Sequence, residues 1–500
     1  MAHGPATDSD IYDRDVNAFL RKGLEWYESI GIRQNCTCFI PGISKYGVEL
    51  VYNKSLSDAD ACLLRIILNG ELPVRKLRLN HISLSAFRLA FHNQDQDKCP
   101  SLKEVHVDFI DCQGDTLDMS NCGVLEGLRS LHVGADNTEP AYAEDIASYI
   151  LRNKSLTELS LRRSCGGDRG VATLVKTLRG NSTLKRFSLS DMELASDTLT
   201  IFAKVLERNS TLELVQLINV CAVRKDRVST LLRQGLYARV FKRLNILWPA
   251  ELLPELRQRL REQGCPPLFS AVVTPSAGVR AVASFFYTVA VAPMSLRELC
   301  LYPGEAMFPA FTDGLICVLN CATTLRHVAI RTCMRDDEEH HLISILDALR
   351  TNCYVTKFET EVAVLTPGIA SSLSELLAVN NRLNQVALSA NQKISPANIE
   401  TIANSLERNY TLTALDLDCG CYDSDESGRI RYILERNLYI ENEAALFVIS
   451  GVGVSYENGM YGLRLVHSSA GLVEKVQTLT GKTREEAWND IQGALACLPA

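Results

Sequence analysis

Three groups of residues have types and spacings that could do chemistry. The first is Gly481-Lys482-Thr483, which resembles the tail of a phosphate loop, where backbone N–H groups cradle an anion and the lysine neutralises it. Such a loop needs glycine five residues earlier, where this chain has Val476, and no strand pattern precedes it. No nucleotide or other cofactor is expected. The second group is the close cysteine pairs Cys36 with Cys38, Cys317 with Cys321, and Cys419 with Cys421. Structural zinc wants C-x2-C spacing with a second pair or a histidine pair in register, so no metal is expected. The third is Asp336-Asp337-Glu338-Glu339-His340-His341. Carboxylates beside imidazoles could hold a divalent ion, but acids also gather in the first turn of a helix and complement its dipole. The sequence favours that solvated helix start. No nucleophile elbow, metalloprotease helix or pair of catalytic carboxylates stands apart from the surrounding pattern, so no enzyme is expected.

The bulk properties narrow the partners. A net charge of −7 over 500 residues, with 46% hydrophobic and 22% charged residues, suits an ordinary globular protein and argues against a nucleic-acid partner, which wants a basic surface. No run of apolar residues is long enough to cross a membrane. The opening MAHGPATDSDIYDRD has no basic-then-apolar leader, and 17 cysteines, an odd number, suit reduced thiols better than a paired framework. A cytoplasmic location is expected. Six N-x-S/T sites occur, at Asn35, Asn53, Asn153, Asn181, Asn209 and Asn409, and the last four read as structural asparagines rather than glycan acceptors.

The elements that would position any functional group come from a repeat. Leu151 to Leu217 reads LRNKSLTELSL, LRGNSTLKRFSL and LERNSTLELVQL, anchored at Asn153, Asn181 and Asn209, each copy starting 28 residues after the last. Within a copy, Leu199, Phe202, Ala203 and Leu206 make a helical stripe after Ser196-Asp197. Asn209 follows, expected in the left-handed conformation that closes many helices. Leu212, Val215 and Leu217 then begin a strand, with polar Gln216 between the last two. One such copy cannot bury enough surface to fold alone, so neighbours must stack. The period predicts an α/β leucine-rich repeat solenoid, a horseshoe with parallel strands on its concave face, helices on its convex face and about 12–14 repeats.

The strand centres read Leu77, Val105, Leu131, Leu159, Phe187, Val215, Leu244, Leu299, Val328, Phe358, Val386 and Leu415. The double-length gap between Leu244 and Leu299 calls for a degenerate copy near Leu268 to Val273, with Val272 and Val273 as strand residues, or for a domain break in the proline-rich zone near 250–275. Thr366-Pro367 and Ser395-Pro396 mark helix starts, and Asn352, Asn380, Asn409 and Asn437 mark helix ends. Residues 1–72, with helical stripes at Val16 to Ile30 and Ser57 to Leu68, are expected to form a helical cap or a small effector domain. Residues 73–445 would be the solenoid, irregular near 248–290, and 446–500 a second cap.

The pattern L-x-x-N-x-[ST]-L-x-x-L-x-L at a 28-residue step resembles the ribonuclease-inhibitor class of leucine-rich repeats, which includes the repeat regions of NOD-like receptors and Ran GTPase-activating proteins. That class often has Asn or Cys nine positions into the strand motif, bonding the next turn's backbone. Here the position holds Cys333 and Asn391 in two copies but Met192, Val220, Gly304 and Gly420 in others, so a less regular stack is expected. The resemblance implies a non-enzymatic scaffold or regulatory adaptor binding a protein on its concave wall. A GTPase activator for a small Ran-like GTPase and a ubiquitin-ligase substrate adaptor are the alternatives, although the acidic tail of the former is replaced by GALACLPA and an F-box pattern is wanting. The wall residues expected to meet the partner are Arg162, Lys185, Arg186, Gln216, Lys242, Arg243, Arg326, Glu359, Asp416 and Asp418, basic at first and acidic toward the end.

Overall fold

The computed structural model describes residues 39–44, 47–52, 57–69, 74–92, 102–110, 117, 119, 122–135, 139–192, 198–220, 240–291, 295–304, 306–334, 338–390, 392–417, 425–450 and 456–498. It contains two compact units, Ile32–Leu247 and Trp248–Ala500.

The first unit opens with an antiparallel hairpin of β1 (Phe39–Ser44) and β2 (Gly47–Tyr52). Parallel strands follow: β3 (Val74–Ile82), β4 (Glu104–Phe109), β5 (Ser130–Ala135), β6 (Glu158–Arg162), β7 (Arg186–Met192), β8 (Leu214–Val220) and β9 (Leu244–Trp248), each paired with the next. Between them run α1 (Asp58–Asn69), α2 (Leu84–Phe91), α3 (Pro140–Arg152), α4 (Gly167–Gly180) and α5 (Thr198–Arg208). The helical cap expected over 1–72 is thus mixed among its described residues. Its helix Ser57 to Leu68 is present as α1, but the hairpin precedes it and pairs β2 with β3, which blocks an otherwise open strand edge. The stripe Val16 to Ile30 lies outside the described residues.

The register matches the repeat residue by residue. Leu77, Val105, Leu131, Leu159, Phe187, Val215 and Leu244 form one continuous row of paired positions across seven strands. All are buried. Their alternation with outward polar residues gives each parallel strand a core face against the helices and an open face away from them.

In the second unit, α6 (Leu253–Gln263) leads into β10 (Leu268–Val272), β11 (Glu298–Tyr302), β12 (His327–Met334), β13 (Lys357–Val362), β14 (Gln385–Ala390) and β15 (Ala414–Asp416). The connecting helices are α7 (Val279–Val291), α8 (Pro309–Cys321), α9 (Glu339–Thr351), α10 (Pro367–Val379) and α11 (Pro396–Leu406). The row Phe269, Leu299, Val328, Phe358, Val386 and Leu415 continues the same register through this sheet. The degenerate copy therefore exists as β10, which includes Val272 and stops just before Val273, with Phe269 in the row position. Thr366 and Ser395 cap α10 and α11 through their hydroxyls, each with proline at the start of its helix. Four helices end the chain: α12 (Asp425–Ser450), α13 (Tyr456–Val466), α14 (Ala470–Thr480) and α15 (Arg484–Ala496).

The anchor asparagines work differently from the expectation. Asn153, Asn181, Asn352 and Asn380 have extended backbone, with φ between −68° and −82°, so none needs the left-handed region. Their side chains explain them. Asn380 Oδ1 accepts from the N–H groups of Arg382 (2.8 Å) and Leu383 (2.9 Å), while Nδ2 donates to Leu349 O (2.7 Å) and Asn352 O (3.2 Å) in the preceding coil. One amide thus closes its own turn and ties it to its neighbour, satisfying backbone groups that burial would orphan. Of the residues expected to form a ladder at the strand exits, Asn391 and the side chain of Cys333 lie outside the described residues. Asn437 departs from the series. It sits inside α12, fully buried, donating to Leu412 O at 2.7 Å.

Packing at the start of α4 is tight enough to override propensity. In α4, a methyl at Gly170 would fall 1.5 Å from the backbone oxygen of Cys165. Alanine normally favours a helix over glycine by about 1 kcal/mol. Gly170→Ala should instead destabilise the first unit by about 2 kcal/mol, because the obstacle is backbone that cannot swing aside; urea unfolding would show the midpoint falling.

Candidate functional site

The open strand faces carry the polar rows. On the first unit, one row of paired positions is Lys76, Glu104, Ser130, Glu158, Arg186 and Leu214, and the next runs Arg78, His106, His132, Ser160, Ser188, Gln216 and Asn245. A third contains Asp108, Gly134, Arg162 and Ser190. Arg162 reaches across β5 to Asp108 at 2.9 Å. It can do so because Gly134 lies between them, where a Cβ would fall 1.9 Å from Asp108 Oδ1.

Of the expected wall residues, Arg162, Arg186 and Gln216 occupy these rows. Lys185, Lys242 and Arg243 precede their strands and lie at the edge where strands begin. Lys185 pairs with Glu213 at 3.2 Å, an exposed ion pair that contributes little stability. Arg186 and Lys242 are exposed, and their side chains make no hydrogen bond or salt bridge among the described residues. Arg243 is turned inward. Its guanidinium donates to Leu206 O (2.8 Å), Asn209 O (2.5 Å) and Leu212 O, so it satisfies carbonyls at the end of α5 and is not free for a partner.

On the second unit, Glu359 shares a row with Ala329, Ala387 and exposed Asp416. Glu359 is buried beneath its neighbours, contacting Lys357 (2.5 Å), His327 (3.4 Å) and Arg331. Burial opposes its charge, but His327 and Lys357 outweigh it and hold the carboxyl well below the usual carboxylate range. Burial likewise lowers His327, and bonds to Glu298 and Glu359 more than reverse that, leaving the imidazole above its ordinary value. Glu359 is therefore the centre of an internal ion network rather than a free acidic contact. Arg326, just before β12, donates to Thr323 O (2.9 Å), Leu325 O (3.0 Å) and Tyr354 O (3.2 Å). Asp418 lies outside the described residues.

A cluster on the first unit has no counterpart among the residues expected from sequence. Glu104, His106 and His132 bring one ligand-type atom each within 4.8 Å of one another. His106 Nε2 lies 2.7 Å from Glu104 Oε1, the two imidazoles stack with centroids 3.8 Å apart and planes 11° apart, and Ser130 Oγ meets His132 Nε2 at 2.9 Å. Stacked rings point their nitrogen lone pairs side by side, so a metal would need one ring to turn, and Lys76 Nζ already sits 3.2 Å from Glu104. The signal was in the sequence: His106 and His132 occupy the same outward position one repeat apart.

The described parts of the three sequence motifs have structural partners or positions. Gly481 ends α14 in the left-handed region, Lys482 pairs with Asp490 at 2.6 Å, and Thr483 forms a capping box with Glu486 at the start of α15. Glu338 and His341 are buried, not solvated as expected: Glu338 accepts from Met307 N (2.9 Å) and His341 Nδ1 meets Thr312 Oγ1 (2.9 Å). Cys317 and Cys321 are one turn apart on α8, and the other close cysteine pairs lie outside the described residues.

No family model matches the chain, and no curated protein matches it. Among solved structures, one titled "Crystal structure of TLR13-ssRNA13 complex" is 13% identical, with a TM-score of 0.27, covering 69% of this chain and 52% of that one. The chain thus spans about half the length of that neighbour. By its own register and strand–helix alternation, it is built as an α/β leucine-rich repeat solenoid.

Proposed function

We propose that this protein is a non-enzymatic scaffold of the ribonuclease-inhibitor-like kind, binding a protein partner through its open strand faces in a reducing, cytoplasmic setting. The observation that supports this most is the polar open face. Parallel strands at about 4.8 Å spacing present ordered rows of charged and polar side chains, with Arg186 and Asp416 exposed on them. Such a face offers many weak, directional contacts and steers a partner of complementary charge. The described cysteines are free thiols, which suits the compartment. Cross-linking mass spectrometry of the captured complex tests the reading. Cross-links from a partner should fall on Lys185 and Lys242 at the strand starts, and links confined to helix-face lysines such as Lys176 would refute it.

A further inference from the structure

We propose that a cavity over the strand starts of the Trp248–Ala500 unit binds a small phosphorylated ligand. The cavity, about 860 Å³, has residues at the starts of β11 to β14 on one side and residues of α14 and α15 on the other. That volume suits a compact metabolite.

Three guanidiniums from separate elements line it: Arg297, Arg326 and Arg484. Arg297 and Arg484 are exposed, and their guanidiniums make no hydrogen bond or salt bridge among the described residues. Arg326 spends Nη1 on three backbone carbonyls and lies over the Tyr354 ring, leaving Nη2 and Nε without a hydrogen-bond partner among the described residues. Burial lowers Arg326 to about 10, and the charges of Arg484 and Arg297 push the same way, so the three cations feel one another. The guanidinium fork matches the oxygens of a phosphate, whose higher charge answers three cations better than one carboxylate does. The anionic side chains lining the same space are Glu298, held near His327, and Glu474, whose carboxyl is raised by partial desolvation against the pull of Arg484 and Arg326.

One polar lining residue is held firmly in place. Asn384 lines the cavity and is 7% exposed. Its Nδ2 donates to Thr411 O (3.0 Å) and Glu441 Oε2 (3.3 Å), which fixes the amide's orientation. Its Oδ1 is buried and accepts no hydrogen bond among the described residues.

Titration calorimetry of the full chain tests this with inorganic pyrophosphate and with fructose 1,6-bisphosphate, neutral fructose serving as control. Both phosphates should bind saturably, one per chain. The double variant Arg297→Glu with Arg484→Glu should weaken both by more than about tenfold. Its fold is checked by an unchanged circular dichroism spectrum and melting midpoint, since both side chains are exposed. The proposal is overturned if neither phosphate binds at millimolar concentration, or if the double variant binds as well as the parent. Tighter binding of hexaglutamate than of the bisphosphate would also overturn it, assigning the cavity to acidic peptide instead.

Discussion

Asn209→Ala should lower the unfolding free energy of the Ile32–Leu247 unit by about 4 kcal/mol. The side chain is 5% exposed and makes four hydrogen bonds. Nδ2 donates to Leu178 O (2.6 Å) and Asn181 O (2.9 Å), and Oδ1 accepts from Thr211 N (2.8 Å) and Leu212 N (2.9 Å). Alanine would orphan four backbone groups at once, two of them in the neighbouring copy. Asn181→Ala should cost about half as much, because Asn181 is only half-buried and its bond to Ile150 O is long, at 3.4 Å. Urea unfolding of the two variants checks the ranking. Equal losses would mean that the asparagines act only within their own turns.

Glu441→Gln should stabilise the Trp248–Ala500 unit by up to about 3 kcal/mol at pH 8 and change little at pH 5. Glu441 is 7% exposed, and burial pushes its carboxyl up to about 7, with Lys475 opposing and Glu474 reinforcing the shift. The folded state thus keeps a proton that the unfolded chain releases near pH 4.5. Its stabilising contribution is complete below that pH and is lost as pH rises through 7. Glutamine removes the loss while its amide oxygen can still accept from Asn384.

The Ile32–Leu247 unit should respond with the opposite sign. His132 is lowered to about 4, first by burial and then by His106. Stability tied to its neutral form is intact above 6.5 and falls as pH drops toward 4. Glu104, lowered to about 2 chiefly by its bond to His106, adds a loss from 4.5 downward. Hydrogen exchange followed by mass spectrometry at pH 5 and pH 8 separates the units. Exchange corrected for intrinsic rate should be relatively better protected at pH 8 in β4 and β5, and at pH 5 around Glu441. A common direction in both would contradict these assignments.

The strand rows were legible because they are local and periodic. Each of Leu77 through Leu415 repeats a burial requirement at a fixed step, and the two Ser/Thr-Pro helix starts carry their own capping chemistry. The role of the asparagines was harder to read. Their spacing located them, but an extended backbone bridging two copies differs from a left-handed cap only in three dimensions. Arg243 was misplaced for a related reason. It is a cation just before a strand, as Lys242 is, yet only packing decides which of the two turns under α5. The histidine stack could have been found by aligning outward positions copy by copy. The cavity could not, because Arg297, Arg326 and Arg484 meet only through helices that follow the last strand, and nothing local marks that meeting.

The most direct test of the binding reading is quantitative affinity capture with charge-reversed baits. Arg186→Glu and Asp416→Lys alter the open strand faces, while Lys176→Glu and Glu400→Lys alter exposed helix positions. The scaffold account predicts a partner recovered equally by the parent and the helix-position variants, and reduced at least about tenfold by the strand-face variants. Equal recovery by all the baits, or loss only with the helix-position variants, would contradict it.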